Sequence, residues 1–150
     1  MSIYADTNYL TRLYLEQSES ATADKWFASE QPILPVTWLV RVELINAFEQ
    51  AVFSGFGERE ARIAPELAAA CQVDFREDLR EGRAVRLVDV SMHELTRHFE
   101  EIALRHTARH GFRTYDILHV ASALTLGRDT FWSFDKRAVK LAKLEGLRTI

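Results

Sequence analysis

A chain of 150 residues has the usual length of one domain and is long enough to bury a core without staples, so we expect a single domain over residues 1–150. Apolar residues make up 47% and charged residues 27% of it, which is ordinary for a globular protein. One cysteine excludes an internal disulfide, and no stretch approaches the roughly 18 apolar residues of a membrane span. Because nothing near the N terminus resembles a signal peptide, we expect a cytoplasmic protein with no membrane partner.

The net charge of −3 argues against a strong non-specific nucleic-acid binder, but the charge is unevenly distributed. Residues 97–150 carry ten Lys or Arg against six Asp or Glu, a charge of +4, which leaves −7 for residues 1–96. The same C-terminal third holds four of the five histidines. Such asymmetry allows a local electropositive surface on a mildly acidic body.

In the first half of the chain, short strand-like runs alternate with helical patterns. Apolar residues that recur every three or four positions predict core-facing helices, and prolines flanking a short run predict a short or edge strand. The predicted elements are a strand at 3–5, a helix at 9–14, a helix at 21–28, a strand at 33–34, a helix at 39–53 ended by Gly55 and Gly57, and a charge-rich helical stretch at 58–83 in which Pro65 is a candidate interruption.

The second half repeats the alternation and places local capping signals at the helix ends. The predicted elements are a strand at 84–90, a helix from Ser91 to about His110 closed by Gly111, a helix capped by Thr114 and ending at Gly127, a strand at 130–134, a helix at 136–144 and a strand at 147–150. No hairpin turn joins consecutive strands. The pattern therefore predicts an α/β fold, a three-layer sandwich of a mostly parallel sheet with helices on both faces.

Four acidic residues are placed where they can do chemistry. Asp6 and Asp135 directly follow predicted strands, Asp116 lies in the first turn of a helix, and Glu43 borders an apolar helix face. Under a parallel sheet the strand ends meet at one edge, where ligands bind in open α/β folds. Each acid also has a simpler interpretation: Asp6 and Asp135 as helix N-caps, Asp116 as a partner of the helix dipole, and Glu43 as a solvated side chain.

If the four carboxylates converge, they repel one another strongly unless a cation lies between them. Carboxylates without a cysteine or histidine set favour Mg²⁺ or Mn²⁺, and such an ion suits hydrolysis of a phosphodiester. Asn8 and Ser133 are candidates to orient a carboxylate, a water or a phosphate oxygen. His119 lies one helical turn from Asp116, but we interpret it as a packing residue rather than a zinc ligand.

Four motifs together resemble the PIN-domain ribonucleases, in particular the VapC-type toxins of bacterial toxin-antitoxin pairs. They are YADTN at Asp6, VEL at Glu43, TYDILHVASAL at Asp116 and SFD at Asp135, and the resemblance spans almost the whole chain. It implies a parallel sheet of four or five strands and four acids that hold Mg²⁺ or Mn²⁺ for cleavage of RNA. It also implies a homodimer and a small cognate antitoxin that covers the active site. The position of Ser133 is often Thr in that family.

An RNA substrate also requires cations for its phosphates. One basic segment, whose arginines are Arg105, Arg109 and Arg113, ends three residues before Asp116. Lys136 and Arg137, directly after Asp135, form a second candidate together with Lys140. A solvated helix end whose cations complement the C-terminal dipole is an equally good interpretation of the first segment.

Two other functions remain open. One is a PIN-like module that binds RNA or a protein partner without cutting, although the presence of all four acids argues against it. A phosphatase of the haloacid dehalogenase-like class also starts from an aspartate after the first strand, but it requires a second aspartate two positions later, where this chain has Asn8. A dinucleotide-binding Rossmann domain is excluded because no G-x-G-x-x-G follows the first strand.

Overall fold

Five short strands and seven helices make up the part of the chain, residues 1–55 and 61–150, that the computed structural model describes. The strands are β1 (Ile3–Ala5), β2 (Leu34–Val36), β3 (Val85–Leu87), β4 (Thr130–Trp132) and β5 (Arg148–Thr149). The helices are α1 (Thr7–Tyr14), α2 (Ser20–Glu30), α3 (Trp38–Ser54), α4 (Pro65–Glu81), α5 (Met92–His110), α6 (Thr114–Thr125) and α7 (Lys136–Leu144). Within these residues, no helix has both the length and the apolar character needed to cross a membrane.

All strand pairs are parallel, which confirms the predicted α/β class, but the strands form two sheets. One has the order β1-β4-β5 and the other pairs β2 with β3. The residues divide accordingly into a first unit, Met1–Asn8 with Val88–Ile150, and a second unit, Tyr9–Leu87. The prediction of one sheet was therefore too simple. β2 contains Pro35, which has no N–H for a ladder, and three-residue strands offer few pairing groups.

In the first unit, β1 and β4 form the buried centre. All six of their residues are buried, and the register sets Ala5 opposite Trp132. The backbone N–H of Asp6 donates to the Trp132 carbonyl at 3.1 Å, so the pairing continues one residue beyond β1. Buried side chains of α6 complete this core, among them Ile117 and Val120. The carboxyl ends of β1 and β4 consequently lie side by side.

Local capping signals set most helix ends of the first unit. The Ser91 hydroxyl accepts the N–H of Glu94 at 3.3 Å, and Gly111 closes α5 with a φ of 67°, so both predicted boundaries are confirmed. Thr114 was wrongly predicted as the cap of the next helix. Arg113 holds the N-cap position of α6, and the Asp116 carboxylate accepts its backbone N–H at 3.2 Å. The bond at this helix start therefore runs from the N-cap N–H to a first-turn carboxylate, not from a first-turn N–H to a threonine hydroxyl.

The second unit packs α3 against α4. Leu44 and Phe48, which the apolar spacing of α3 predicts to face the core, are fully buried, and so is Phe75 of α4. Thr37 caps α3 by accepting the N–H of Val40 at 3.3 Å, and Gly55 follows its last turn with a φ of 71°. The predicted helix at 39–53 is thus confirmed with one extra residue at each end.

Several predicted boundaries were wrong. Within the stretch predicted as helical at 58–83, residues 61–64 are not helical and α4 begins at Pro65, because a proline favours the first helical turn and disfavours helix in the residue before it. Gly57 and residues 58–60 lie outside the described part of the chain. Strand β3 spans only 85–87 since its partner β2 offers three residues for pairing. Strand β2 is displaced to 34–36, and β4 and β5 are shorter than predicted.

The Asp129 carboxylate makes the stability of the first unit depend on pH. Its Oδ1 accepts the Thr130 hydroxyl at 2.7 Å and the Ser2 N–H at 3.0 Å, and its Oδ2 lies 2.8 Å from Nη2 of Arg148. These contacts, the Thr130 hydroxyl first, lower the Asp129 pKa to about 2. Because the pKa is lower in the folded state, the ionised carboxylate stabilises the fold above the unfolded-state pKa of about 3.9. This stabilisation is lost as the pH falls toward 2.

We therefore expect Asp129→Asn to lower the free energy of unfolding at neutral pH. The difference from the parent protein should shrink between pH 4 and about pH 2, the folded-state pKa. Urea titrations at several pH values measure it. A difference that is as large at pH 2 as at pH 7 would contradict the assignment.

Candidate active site

Asp6 and Ser133 lie at the carboxyl ends of two paired strands. Each directly follows its strand, and because Ala5 pairs with Trp132, the two residues emerge together at one edge of the sheet. Both are buried, with 3% of Asp6 and 2% of Ser133 exposed. This is the edge where open α/β sheets place their ligands.

Asp135 is both the N-cap of α7 and part of this edge. Its Oδ1 accepts the backbone N–H groups of Arg137 at 2.8 Å and Ala138 at 3.2 Å, and its Oδ2 accepts Nη2 of Arg113 at 2.8 Å. Partial burial raises the pKa of Asp135, but these N–H groups and the guanidinium outweigh it, so the pKa lies below its ordinary value. The simpler interpretation as a cap is correct, and it leaves the carboxylate ionised at the edge.

Asn8 and Ser133 hold the segment that carries Asp135. The Ser133 hydroxyl accepts the N–H of Asp135 at 2.9 Å, and Oδ1 of Asn8 accepts the N–H of Phe134 at 3.0 Å. The Asn8 bond thus ties the backbone between β4 and α7 to the first turn of α1, and the Ser133 bond fixes the local turn before Asp135. Their position matches a supporting role toward the carboxylates.

Asp116 faces Arg113 across the first turn of α6. Nε of Arg113 donates to Oδ2 of Asp116 at 3.0 Å and Nη2 donates to Oδ1 at 2.9 Å, a two-pronged ion pair. The same Nη2 reaches Asp135, so one guanidinium bridges two carboxylates. The pKa of Arg113 is raised, first by its hydrogen bond to Asp116 and then by that to Asp135. Since only 5% of Asp116 is exposed, its charge needs this partner.

Glu43 lies in the second unit, half-buried on α3 and one position before the core residue Leu44. The three aspartates belong to the first unit. That Glu43 joins the three aspartates in one site stays a prediction.

The donor chemistry of the first unit fits a hard divalent cation. Asp6, Asp116 and Asp135 offer carboxylate oxygens, the ligands that Mg²⁺ and Mn²⁺ prefer. Throughout residues 1–55 and 61–150, however, no three His, Cys, Asp or Glu side chains form a ready-made metal cluster. Arg113 bridges Asp116 and Asp135, so one positive charge already offsets part of the charge of these two carboxylates.

His119 has a packing role, as interpreted from the sequence. It is 6% exposed on the buried face of α6, and its Nδ1 lies 2.9 Å from the Tyr4 hydroxyl. The pair ties α6 to β1 behind the carboxylates.

The predicted RNA-binding arginines of α5 differ in their surroundings. Nη2 and Nε of Arg105 contact Glu145 at 2.8 and 3.3 Å, and His106 contacts the same carboxylate at 2.6 Å. Arg105 is thus held in an ion pair at the surface. Arg109 is exposed at the end of α5.

Lysines on α7 form a basic groove next to the candidate site. Lys136, Lys140 and Lys143, with Val139 and Leu144, line a concavity of about 420 Å³. Lys136 directly follows Asp135, and Arg137 is exposed beside it. Lys143 was missed from the sequence, although its spacing of seven residues from Lys136 places both on one helix face.

The basic end of α5 also lies near this groove. Burial first, and then the cations of Lys140 and Arg109, lower the pKa of His110. The positive charges of α5 and α7 therefore influence one another, as the charge asymmetry of the sequence suggested.

No curated protein matches the chain significantly. Among solved structures it is similar to VapC20 of Mycobacterium tuberculosis, a sarcin-ricin loop cleaving toxin, at 20% identity and a TM-score of 0.64, with 93% of this chain and 94% of that one covered. It is also similar to DNA-bound VapBC of Salmonella typhimurium at 18% identity and a TM-score of 0.67, with 100% and 97% covered.

A toxin-antitoxin complex from Klebsiella pneumoniae is similar at 13% identity and a TM-score of 0.64, with 99% of this chain and 96% of that one covered. At such identities the likenesses establish the fold, and they confirm the PIN-like α/β architecture expected from the resemblance. The family model described as PIN domain matches residues 3–144. The chain belongs to the PIN domain family.

Proposed function

We propose that this protein is a metal-dependent endoribonuclease and the toxin of a toxin-antitoxin pair. The observation that carries the proposal is the set of three aspartates, two of them almost fully buried, in the part of a PIN-domain chain where β1 and β4 end. Buried carboxylates that serve only as caps gain little from such placement. Similarity to a toxin described as cleaving the sarcin-ricin loop supports RNA as the substrate.

The aspartates Asp6, Asp116 and Asp135, together with Glu43, would hold Mg²⁺ or Mn²⁺. The bound ion would supply a water of lowered pKa and would neutralise charge on the phosphate. Two further residues would position one of these carboxylates. Ser133 and Asn8 hold the backbone that carries Asp135, which keeps its carboxylate at the edge without relying on the ion.

Cations of α5 and α7 would bind the RNA backbone. The groove lysines Lys136, Lys140 and Lys143 share one face of α7, beginning next to Asp135. Phosphate contacts of this kind position a strand without reading its sequence and weaken as salt is raised. Arg137 and Arg109 are exposed and extend the surface, whereas Arg105 is engaged by Glu145.

We also propose a small antitoxin as partner and a homodimer as the assembly. Similarity to a toxin-antitoxin complex and to VapBC supports the antitoxin. In the second unit, Trp38 is 73% and Val42 is 40% exposed, one turn apart on α3. Exposed aromatic and aliphatic side chains on one helix face are typical of protein interfaces.

The test is RNA cleavage by the purified protein. We expect fragments with added Mg²⁺ or Mn²⁺, no fragments in EDTA, and recovery when excess metal is returned, because the carboxylates alone supply neither the water nor the charge neutralisation. End-mapping of the fragments identifies the cut.

Two other outcomes would contradict the proposal. Calorimetric binding of Mn²⁺ or RNA without cleavage of any RNA tested would favour a PIN-like binding module. Hydrolysis of p-nitrophenyl phosphate without RNA cleavage would favour the phosphatase.

A further inference from the structure

Arg113 occupies the place between two carboxylates that a bridging cation would take. We propose that Arg113 is an internal counter-ion that competes with the divalent cation for Asp116 and Asp135, so that its guanidinium sets the metal affinity of the site and is released when metal binds. The inference rests on the proposed function, since it assumes that these carboxylates hold a metal.

The hydrogen bonds show for which carboxylate oxygens Arg113 and a metal ion would compete. Oδ2 of Asp116 accepts two N–H groups of Arg113, and Oδ1 of Asp135 accepts two backbone N–H groups of α7, which uses both lone pairs of each oxygen. The other two oxygens, Oδ1 of Asp116 and Oδ2 of Asp135, both face Nη2 of Arg113, at 2.9 and 2.8 Å. An ion that bridged the two carboxylates on those oxygens would meet Nη2.

The charge and exposure of these side chains favour replacement of the Arg113 guanidinium by the divalent ion over binding of both cations at once. The side chain of Asp116 is 7% exposed, so its charge must be balanced by a cation within the site. The side chain of Arg113 is 56% exposed and can turn into solvent without opening the core. A divalent ion and a guanidinium on the same oxygens would repel each other in a partly buried place. One cation therefore replaces the other.

Release also explains how one arginine can have two roles. While it bridges the carboxylates, Nε and Nη2 are used by Asp116 and Asp135. Displaced by the ion, the same fork is free to bind a phosphate oxygen beside the carboxylates, because guanidinium matches phosphate geometry.

The test is calorimetric titration of Mn²⁺ into the full chain and three variants, with no RNA present. Arg113→Gln removes the competing charge, and we expect it to bind Mn²⁺ about tenfold more tightly than the parent, the effect of one lost charge-assisted interaction. Arg113→Lys keeps a charge but not the fork, and should give an intermediate affinity. The matched control is Arg148→Gln, which breaks another surface Arg–Asp pair of the first unit and should leave the affinity within about twofold of the parent.

The outcomes distinguish failure of the counter-ion inference from failure of the proposed function. Equal or weaker Mn²⁺ binding by Arg113→Gln, with normal binding by the parent, would overturn the counter-ion inference and leave the nuclease untouched. No Mn²⁺ binding by the parent or any variant would overturn both. If Arg113→Gln fails to fold, Arg113→Lys carries the test, because tighter binding than the parent supports the inference and unchanged or weaker binding overturns it.

Discussion

Asp6→Asn and Asp116→Asn are each expected to lower metal-dependent RNA cleavage by about a hundredfold to a thousandfold. The amide keeps the shape of the side chain but removes the negative charge and replaces one anionic oxygen with a nitrogen that cannot bind Mg²⁺. A bound ion contributes several kcal/mol to stabilising charge in a phosphoryl transition state, and each 1.4 kcal/mol is about tenfold in rate. Initial rates with a fluorescent RNA and saturating Mn²⁺ measure the loss.

The control is Asp89→Asn, which makes the same chemical change at an exposed position before α5. Circular dichroism and the urea midpoint should show that all three variants remain folded. For Asp116→Asn a small loss of stability is expected, because the ion pair with Arg113 is weakened. Cleavage that survives both site substitutions at more than a tenth of the parent rate would contradict the assigned site.

Phe75→Ala is expected to lower the free energy of unfolding by about 3–5 kcal/mol, the usual cost of removing a buried aromatic ring. Phe75 is fully buried on α4 in the second unit, and its ring meets Tyr14 edge to face at 5.4 Å between centroids. The Tyr14 hydroxyl is itself held, since it donates to Asp78 at 2.8 Å. The cavity therefore cannot close by a simple shift of Tyr14. Urea unfolding followed by circular dichroism measures the change.

Val73→Ala on the same helix is the matched control. Val73 is 53% exposed, and alanine has the higher helix propensity, so we expect a change within about 0.5 kcal/mol. If Phe75→Ala lost less than about 1 kcal/mol, the packing of α4 described for the second unit would be wrong.

The helix boundaries were the most predictable part of the fold. α7 begins and ends where the sequence indicates, because Asp135 caps its first turn within three residues. The end of α5 at Gly111 is equally local. Strand extents were poorly predicted, since a strand is only as long as its partner allows, and β3 ends with β2. The split into two sheets has the same origin.

The sequence indicated which acids to consider for the candidate site, but not the contacts that they make. Strand ends in a parallel fold indicated Asp6 and Asp135, helix positions indicated Asp116 and Glu43, and the PIN resemblance then joined the four into one proposed set. Arg113 was predicted to bind phosphates, yet it bridges two of the carboxylates. Its spacing of three residues from Asp116 hinted at the first pair, but nothing in the local pattern indicated Asp135, 22 residues away.

Local pattern thus determined where most helices lie and which class of fold results, because capping, periodicity and alternation act over a few residues. Tertiary structure decided the rest. The pairing of Ala5 with Trp132, which brings Asp6 beside Ser133, joins positions more than a hundred residues apart. Whether Arg113 meets solvent, a carboxylate or two carboxylates depends on where α6 and α7 start relative to that sheet. Both kinds of contact form only when the chain is folded, because they join separate elements. The contacts of Arg113 also offset charge that folding buries.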